Sequence, residues 1–224
     1  MSSPVVVAID GPAGTGKSTV ARALAARLGV PYLDTGAMYR ALTVAALERG
    51  VDPDARQAVA ALLPGLSIDL RLDAAGRAEV LLDGAPVEAR IRTPEVAAAT
   101  SRLAVHPEVR ERMVELQRAM ARRHGGVLEG RDIGSRVVPE TPFKFFLTAD
   151  PSVRAARRMG DLAAQGRSDL SLESIEREIV ERDERDSRRA LSPLMAAPGA
   201  TVVDTSDLSA EEVVELLWRT VIAG

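Results

Sequence analysis

The sequence predicts an α/β protein whose parallel sheet is covered by helices on both faces. Short, almost continuously apolar runs alternate with long helical patterns, as in buried parallel strands joined by helices. The 224 residues suffice for one sizeable α/β core and are too few for two large domains. A single stretch departs from this pattern by alternating apolar and polar residues, which predicts a small antiparallel insert.

Five runs are candidate strands of the parallel sheet: residues 5–9, 31–33, 127–129, 143–147 and 200–203. The helical patterns lie between and after them, at residues 20–28, 36–47, 94–104, 107–123, 151–165, 172–190 and 210–222. In sheets of this kind ligands collect at the carboxyl ends of the strands. The residues that directly follow each strand are therefore the first candidates for a binding site.

The strand at residues 5–9 leads into a phosphate-binding loop of the pattern GxxxxGK[ST]. Its residues are Gly11, Pro12, Ala13, Gly14, Thr15, Gly16, Lys17, Ser18 and Thr19. Glycines allow successive N–H groups to point at phosphate oxygens, and the next helix adds its positive end. In such loops the lysine reaches the β and γ phosphates and the following hydroxyl binds Mg2+. The sequence thus predicts ATP at this loop, with Ser18 as the Mg2+ ligand.

The insert is predicted from residues 66–72 and 78–82, where leucine, isoleucine and valine alternate with polar residues. Residues 74–76 form the predicted first turn, and Asp83-Gly84 is a tight-turn signal before a short edge at Pro86-Val87. We therefore divide the chain into a core of residues 1–64 and 93–224 and an insert of residues 65–92. An insert beside a cleft is often a mobile cover for the substrate.

Arginines are placed where they could hold phosphate. Arg131 and Asp132 follow the strand at residues 127–129, and a planar guanidinium can donate two parallel hydrogen bonds to phosphate. A loop ion pair between these two residues is the alternative. On the helix at 172–190, Arg182, Asp186 and Arg189 fall beside the apolar stripe of Leu172, Ile175 and Ile179. This placement favours a polar ligand, with a structural ion-pair network as the alternative.

Composition excludes several classes of function. The net charge of −3 argues against a general nucleic-acid binder, and the absence of cysteine excludes thiol chemistry. His106 and His124 have no zinc-site spacing around them and are expected at a surface or a helix cap. The apolar run near the amino terminus is too short for a signal peptide or a membrane span. We expect a cytoplasmic protein without a membrane partner, and a monomer because no large apolar stripe is left over.

Five motifs together resemble the bacterial cytidylate kinases, a family of nucleoside monophosphate kinases. They cover nearly the whole chain in order, at residues 11–19 (GPAGTGKST), 34–40 (DTGAMYR), 91–101 (IRTPEVAAATS), 129–135 (EGRDIGS) and 181–194 (ERDERDSRRALSPL). The first motif is shared by many phosphate-binding enzymes, whereas the other four together are specific. The resemblance implies a five-stranded parallel core, a nucleotide-binding region enlarged by the insert, and a short arginine-bearing lid at residues 151–168.

The resemblance also implies a role for individual residues. Ser101, Arg110 and Asp132 would read the cytosine edge with Thr35 nearby. The CMP phosphate would be held by Arg40, Arg131 and Arg189, and the ribose by Arg182 and Asp186. Arg154, Arg157 and Arg158 look like lid arginines, of which Arg157 and Arg158 are the candidates for catalysis together with Lys17, Arg131 and Arg189. Glu129 departs from the family pattern, which usually has Asp, and its role stays open.

The expected reaction is transfer of the γ-phosphoryl group of ATP to CMP, and to dCMP, giving ADP and CDP or dCDP. No general base is needed, because a nucleotide 5′-phosphate with a second pKa near ~6 is already a nucleophilic dianion. UMP is expected to be a poor substrate, since uracil reverses the donor and acceptor at the edge that Asp132 would read. Kinases for UMP, AMP or shikimate are the alternatives. A GTPase switch is disfavoured because the chain has no asparagine and so no NKxD motif.

Overall fold

The structure is a computed structural model that describes residues 4–73, 78–164, 171–188, 191 and 193–224. A five-stranded parallel sheet contains β1 (Val6–Asp10), β2 (Tyr32–Asp34), β6 (Gly126–Gly130), β7 (Phe143–Thr148) and β8 (Thr201–Asp204), in the order β2-β6-β1-β7-β8. A second sheet contains β3 (Ile68–Leu72), β4 (Ala78–Leu82) and β5 (Ala85–Pro86) in that order. The predicted fold class is thereby confirmed.

Eight α-helices accompany these strands in the described part of the chain. They are α1 (Lys17–Leu28), α2 (Thr35–Glu48), α3 (Arg56–Leu62), α4 (Pro94–Leu103), α5 (Pro107–His124), α6 (Pro151–Ala164), α7 (Leu172–Ser187) and α8 (Ala210–Ala223). Several begin at side chains that cap free N–H groups, among them Asp34 at α2, Thr93 at α4 and Ser209 at α8. Such caps fix helix starts locally, which explains why the predicted starts agree closely with the structure.

Contacts divide the chain into two compact units. Unit 1 contains the residues up to Val6 together with Gly29–Leu128, and unit 2 contains Val7–Leu28 and Glu129–Gly224. Unit 1 includes the small sheet, which packs against α2. The residues paired across β3 and β4 place Ile68 opposite Leu82 and Leu70 opposite Val80, and all four side chains are buried. The alternation in the sequence thus marks the face on which this sheet is buried.

In unit 2, β1 pairs with β7 and β7 with β8, in both cases parallel. Val7, Ala8 and Ile9 are fully buried, as expected for a strand covered on both faces. Helices α6 and α7 pack together around Ala155, Leu162, Ile175 and Ile179. Unit 2 therefore has its own apolar core.

The structure corrects some details. Leu66 lies before β3, the short edge strand is Ala85–Pro86 rather than Pro86-Val87, and Leu172 is 36% exposed instead of belonging to a buried stripe. The alternation of apolar residues continues past the ends of the strands, because a residue can be buried without being paired to a neighbouring strand. Four predictions fall outside the described residues: the turn at 74–76, lid positions 165–168, Arg189, and the last residues of the helix predicted to reach 190.

No helix in the described residues has the length and apolar character that crossing a membrane requires.

Candidate active site

The phosphate-binding loop of unit 2 joins β1 to α1. Three of its glycines have positive φ, with Gly11 at 146°, Gly14 at 79° and Gly16 at 83°. A Cβ on Gly11 would lie 2.1 Å from the carbonyl oxygen of Leu147, and one on Gly14 would lie 2.9 Å from the Cβ of Arg154. Glycine is therefore required at both positions by the backbone angle and by the closeness of the neighbouring chain.

Lys17 is the first residue of α1 and is buried. Its ammonium donates to the carbonyl oxygen of Pro12 at 2.6 Å, and this carbonyl also accepts from the Thr15 hydroxyl at 3.1 Å. Burial, followed by the positive charge of Arg131, lowers the pKa of Lys17 to about 7, although the Glu129 carboxylate opposes the shift. The loop thus holds the lysine at the N-terminus of α1, a position at which a helix favours the binding of an anion.

Ser18 and Glu129 meet in the same unit. The Ser18 hydroxyl donates to Oε2 of Glu129 at 2.9 Å, and Glu129 is buried at the end of β6. The described residues contain no group of three or more His, Cys, Asp or Glu side chains that could hold a metal ion. One hydroxyl with a carboxylate behind it is nevertheless a suitable set for Mg2+, which keeps several waters and takes its other ligands from substrate phosphates.

Arg131 lies between the phosphate-binding loop and α7. Its Nε donates to Asp186 Oδ2 at 3.1 Å, and its Nη1 donates to the carbonyl oxygen of Gly11 at 3.0 Å. Asp186 is 2% exposed. Arg131 is thus ion-paired with a residue 55 positions away in the sequence.

Other predicted residues of unit 2 are also placed near this cluster. Arg182 is half-buried and its charge lowers the pKa of Lys17, so it lies within electrostatic reach of the loop. Asp132 is buried and precedes a short π-helical turn at Ile133–Val137. Unit 2 therefore brings together Lys17, Arg131 and Arg182 as positive charges, with Asp186 holding one of them in place.

The three arginines of α6 that were predicted to belong to a lid lie in different environments. Arg154 is buried and donates to the carbonyl oxygens of Ala149 at 2.9 Å and Ala13 at 3.3 Å, and it pairs with Asp183. Arg157 donates to the Thr205 carbonyl oxygen at 2.6 Å and to its hydroxyl at 3.0 Å. Arg158 is exposed. Arg154 is therefore an internal support of the loop rather than a surface charge.

The remaining predicted residues lie in unit 1. Asp34 caps α2 by accepting the Ala37 N–H at 2.9 Å, and its other oxygen accepts from Arg40 at 2.7 Å. Arg110 is buried, with its guanidinium carbon 5.7 Å from the centre of the Tyr39 ring. Thr35 is buried at the start of α2. Arg40 is thus ion-paired in this structure, which neutralises a charge that was assigned to phosphate.

Ser101 Oγ and Arg40 Nε are buried without a hydrogen-bond partner in the described part of the chain. Gln117 Nε2, which was not predicted from the sequence, is also buried without a hydrogen-bond partner among the described residues. Gln117 lines a small cavity of unit 1 together with Asp34, Thr35 and Met38. Buried polar groups are normally satisfied, so these three atoms are candidates for contacts with a ligand or with water.

Two site features were missed by the sequence analysis. Asp10, the last residue of β1, is buried and accepts two backbone N–H groups of the loop after β6. Burial raises its pKa to about 7, while these two hydrogen bonds oppose the shift. The other feature is the internal role of Arg154. An acidic residue that ends an otherwise apolar strand was the available signal for Asp10, whereas no local pattern separates Arg154 from Arg158.

Comparison with known proteins gives a consistent result. The family model described as cytidylate kinase matches residues 7–222. The chain is 48% identical over 224 residues to a cytidylate kinase of Pelotomaculum thermopropionicum, covering 100% of this chain and 99% of the relative. It is 49% identical over 221 residues to a cytidylate kinase of Corynebacterium glutamicum, covering 98% and 95%.

One solved structure, an uncharacterized protein from Eubacterium ventriosum, is similar to the chain with a TM-score of 0.53. Its sequence is 12% identical, and the likeness covers 98% of this chain and 99% of that one. At this level of identity the likeness concerns the fold alone.

Proposed function

We propose that this chain, which belongs to the cytidylate kinase family, transfers the γ-phosphoryl group of ATP to CMP and to dCMP. The products are ADP and CDP or dCDP. The observation that carries the proposal is the arginine cluster placed beside the phosphate-binding loop within unit 2, where Arg131 is held by Asp186 and by the Gly11 carbonyl. A kinase that joins two phosphates requires positive charge of this kind at the loop.

The donor half of the proposed site is the loop at residues 11–19. Its N–H groups and the N-terminus of α1 would bind the phosphates of ATP, and Lys17 would contact the β and γ phosphates. Negative phosphates favour the charged form of Lys17, which counters the effect of burial on its pKa. Ser18 would hold Mg2+, with Glu129 orienting the hydroxyl or a bound water. When bound, Mg2+ neutralises charge on the phosphate oxygens.

The acceptor half is assigned to the residues that match the motifs of the family. We assign the CMP phosphate to Arg40, Arg131 and Arg189, the ribose to Arg182 and Asp186, and the base to Thr35, Ser101, Arg110 and Asp132. Support comes from the hydroxyl of Ser101 and Nε of Arg40, which are buried without a partner in the described residues. A carboxylate at Asp132 would accept from the cytosine amino group and repel the corresponding oxygen of uracil.

The chemical step would proceed without a general base, because the CMP phosphate is already a dianion near neutral pH. Arginines and Lys17 align two phosphates that repel each other and stabilise the charge that spreads in the transition state. Among the lid arginines we assign this contact to Arg158. Arg154 and Arg157 already donate to carbonyl oxygens of neighbouring loops, whereas Arg158 is exposed at the surface of α6.

Two segments of the chain would assist the binding of nucleotides. Residues 65–92 would enlarge the nucleotide-binding region, and residues 151–168 would act as a lid, of which 165–168 lie outside the described residues. We also propose that the protein acts as a monomer in the cytoplasm, where its nucleotide substrates are found.

The test is release of ADP from MgATP with CMP, dCMP, UMP, AMP or shikimate supplied separately. We expect CMP and dCMP to stimulate release well above buffer and UMP to do so weakly. Stimulation by shikimate or AMP alone would assign the chain to another acceptor, and no stimulation by CMP would contradict the proposal.

Asp132→Ala tests the choice of base. Loss of one polar contact is worth roughly 1 to 3 kcal/mol, so kcat/KM for CMP should fall about tenfold or more. The fall for UMP should be smaller, because uracil lacks the amino group that Asp132 would accept from. Equal losses with both nucleotides would make Asp132 a structural residue.

A further inference from the structure

Asp10 is a buried carboxylate at a position where the strand pattern calls for an apolar residue. It ends β1 directly after the fully buried Ile9 and is itself only 3% exposed. Its Oδ1 accepts the N–H of Ile133 at 2.8 Å, and its Oδ2 accepts the N–H of Gly134 at 2.8 Å. Both oxygens of one side chain are thus used to hold two successive residues of the loop after β6.

A second contact fixes the same loop from its other side. Arg131 Nη1 donates to the carbonyl oxygen of Gly11, the residue that follows Asp10. Asp132 therefore lies between two anchors, one at Arg131 and the other at Ile133 and Gly134. Both anchors attach to consecutive residues at the end of β1, within unit 2.

Burying a carboxylate is unfavourable unless it is hydrogen-bonded. A carboxylate accepts two N–H groups at once, whereas an asparagine side chain accepts at one end and donates at the other. The loop turns as a π-helix at Ile133–Val137 and so leaves these N–H groups without partners in a preceding helical turn. The two hydrogen bonds of Asp10 thus provide these N–H groups with acceptors and also fix the position of the loop.

We propose that Asp10 is a positioning residue that sets the choice between cytosine and uracil by holding Asp132 in place. Asp10 itself would touch neither nucleotide. This inference rests on the proposed function, since it assumes that Asp132 reads the base of the acceptor. It adds a residue outside the acceptor site that controls the specificity of that site.

The test is the ratio of kcat/KM for CMP to kcat/KM for UMP in Asp10→Asn. The amide would keep one of the two hydrogen bonds and place its own N–H groups against the other backbone N–H. We expect the ratio to fall about fivefold or more, because displacement of Asp132 harms the cytosine contact selectively. Glu212→Gln is the matched control. Its carboxylate accepts the Ser209 N–H at the start of α8, and the ratio should stay within about twofold of wild type.

Gly134→Ala tests the same contact from the loop side and leaves β1 unchanged. A Cβ at this position would lie 3.4 Å from Asp10 Oδ2 and 3.3 Å from both Ala197 Cβ and Lys144 Cγ. We expect this tight placement to displace the loop slightly and to lower the ratio in the same direction. In the double variant the two effects should not add, because both act through one contact. Gly134→Ala carries the test alone if Asp10→Asn does not fold.

The outcomes separate the two hypotheses. An active wild type whose ratio is unchanged in the variants, with equal losses for CMP and UMP, would overturn the role of Asp10 and leave the proposed function intact. A wild type that does not respond to CMP would overturn the proposed function and this inference together. A selective loss with CMP in either variant, with the control unchanged, supports the inference.

Discussion

The phosphate-binding region of unit 2 and the predicted base-reading region of unit 1 satisfy their polar groups in different ways. In unit 2, Lys17, Ser18 and Arg131 each have hydrogen-bond partners from the protein itself. In unit 1, Ser101 Oγ and Gln117 Nε2 are buried without a partner among the described residues. The first region is held by its own contacts, whereas the second leaves polar atoms for a ligand or for water.

This difference fits the chemistry that we propose for each region. Charge stabilisation depends on groups that are already oriented when the transition state forms, so arginine and lysine side chains benefit from fixed partners. Recognition of a base depends on donors and acceptors that stay unpaired until the base arrives, at a cost in stability to the free protein.

Arg131→Ala tests the charge held at the phosphate-binding loop. We expect kcat/KM to fall about 10³-fold with CMP and UMP alike, because a two-donor contact to phosphate is lost and does not depend on the base. Steady-state assays with each nucleotide measure this effect. Arg136→Ala, an exposed arginine five positions later, is the control and should retain activity. Near-normal activity of Arg131→Ala would remove it from the phosphate site.

Arg154→Ala and Arg158→Ala test whether the loop is supported from within. Loss of Arg154, which is buried, leaves the half-buried Asp183 without its ion-pair partner, so the free energy of unfolding should fall by about 3 kcal/mol. Arg158→Ala should instead lower kcat with little change in stability. Denaturant unfolding together with assays of kcat measures both variants. A loss of stability in Arg158→Ala without a fall in kcat would reverse the two assignments.

The pH dependence of stability tests how Asp10 is held. Burial raises its folded pKa to about 7 from 3.8, so between these values the folded protein binds a proton that the unfolded chain releases. The contribution of Asp10 to the free energy of unfolding therefore decreases as the pH rises, by about 2 kcal/mol from roughly pH 5 to 7. The charges of Asp132 and Lys17 act on Asp10 with opposite signs.

Denaturant unfolding of the wild type and of Asp10→Asn over this pH range isolates the effect, because asparagine does not titrate. The free energy of unfolding of the wild type, relative to that of Asp10→Asn, should decrease as the pH rises. A flat difference would show that the N–H groups of Ile133 and Gly134 keep Asp10 ionised throughout.

Ser101→Ala tests the region that is left unpaired. The KM for CMP should rise about tenfold, as expected for a lost hydrogen bond to the base. The free energy of unfolding should not fall, because the hydroxyl has no partner to lose. Thr100→Val is the matched control. The Thr100 hydroxyl donates to the Val96 carbonyl oxygen at 2.6 Å and lies 3.0 Å from the Thr43 hydroxyl, so this variant should lose stability and keep its KM. A Ser101→Ala variant that is destabilised with an unchanged KM would contradict the comparison.

Much of the architecture could be predicted because its signals are local. The apolar run of β1, the glycine spacing of the loop, the caps at Asp34 and Thr93, and the alternation in β3 and β4 each depend on neighbouring residues. Strand ends were less certain, as Leu66 illustrates, because pairing depends on a partner strand. Arg131 and Asp132 were predicted as site residues from their place after a strand, and Asp186 from its position on the helix beside Ile179.

Patterns in the sequence were sufficient to identify the phosphate-binding loop, the order of most helices and strands, and the family. The tertiary structure alone established which remote residues contact each other. It paired Arg131 with Asp186 across 55 positions, attached Asp10 to Ile133 and Gly134, and buried Arg154 while leaving Arg158 exposed. Partners of this kind depend on distances between segments that are remote in the chain. Burial then sets how much these contacts contribute to stability, because a charge removed from water requires a partner that only the folded chain provides.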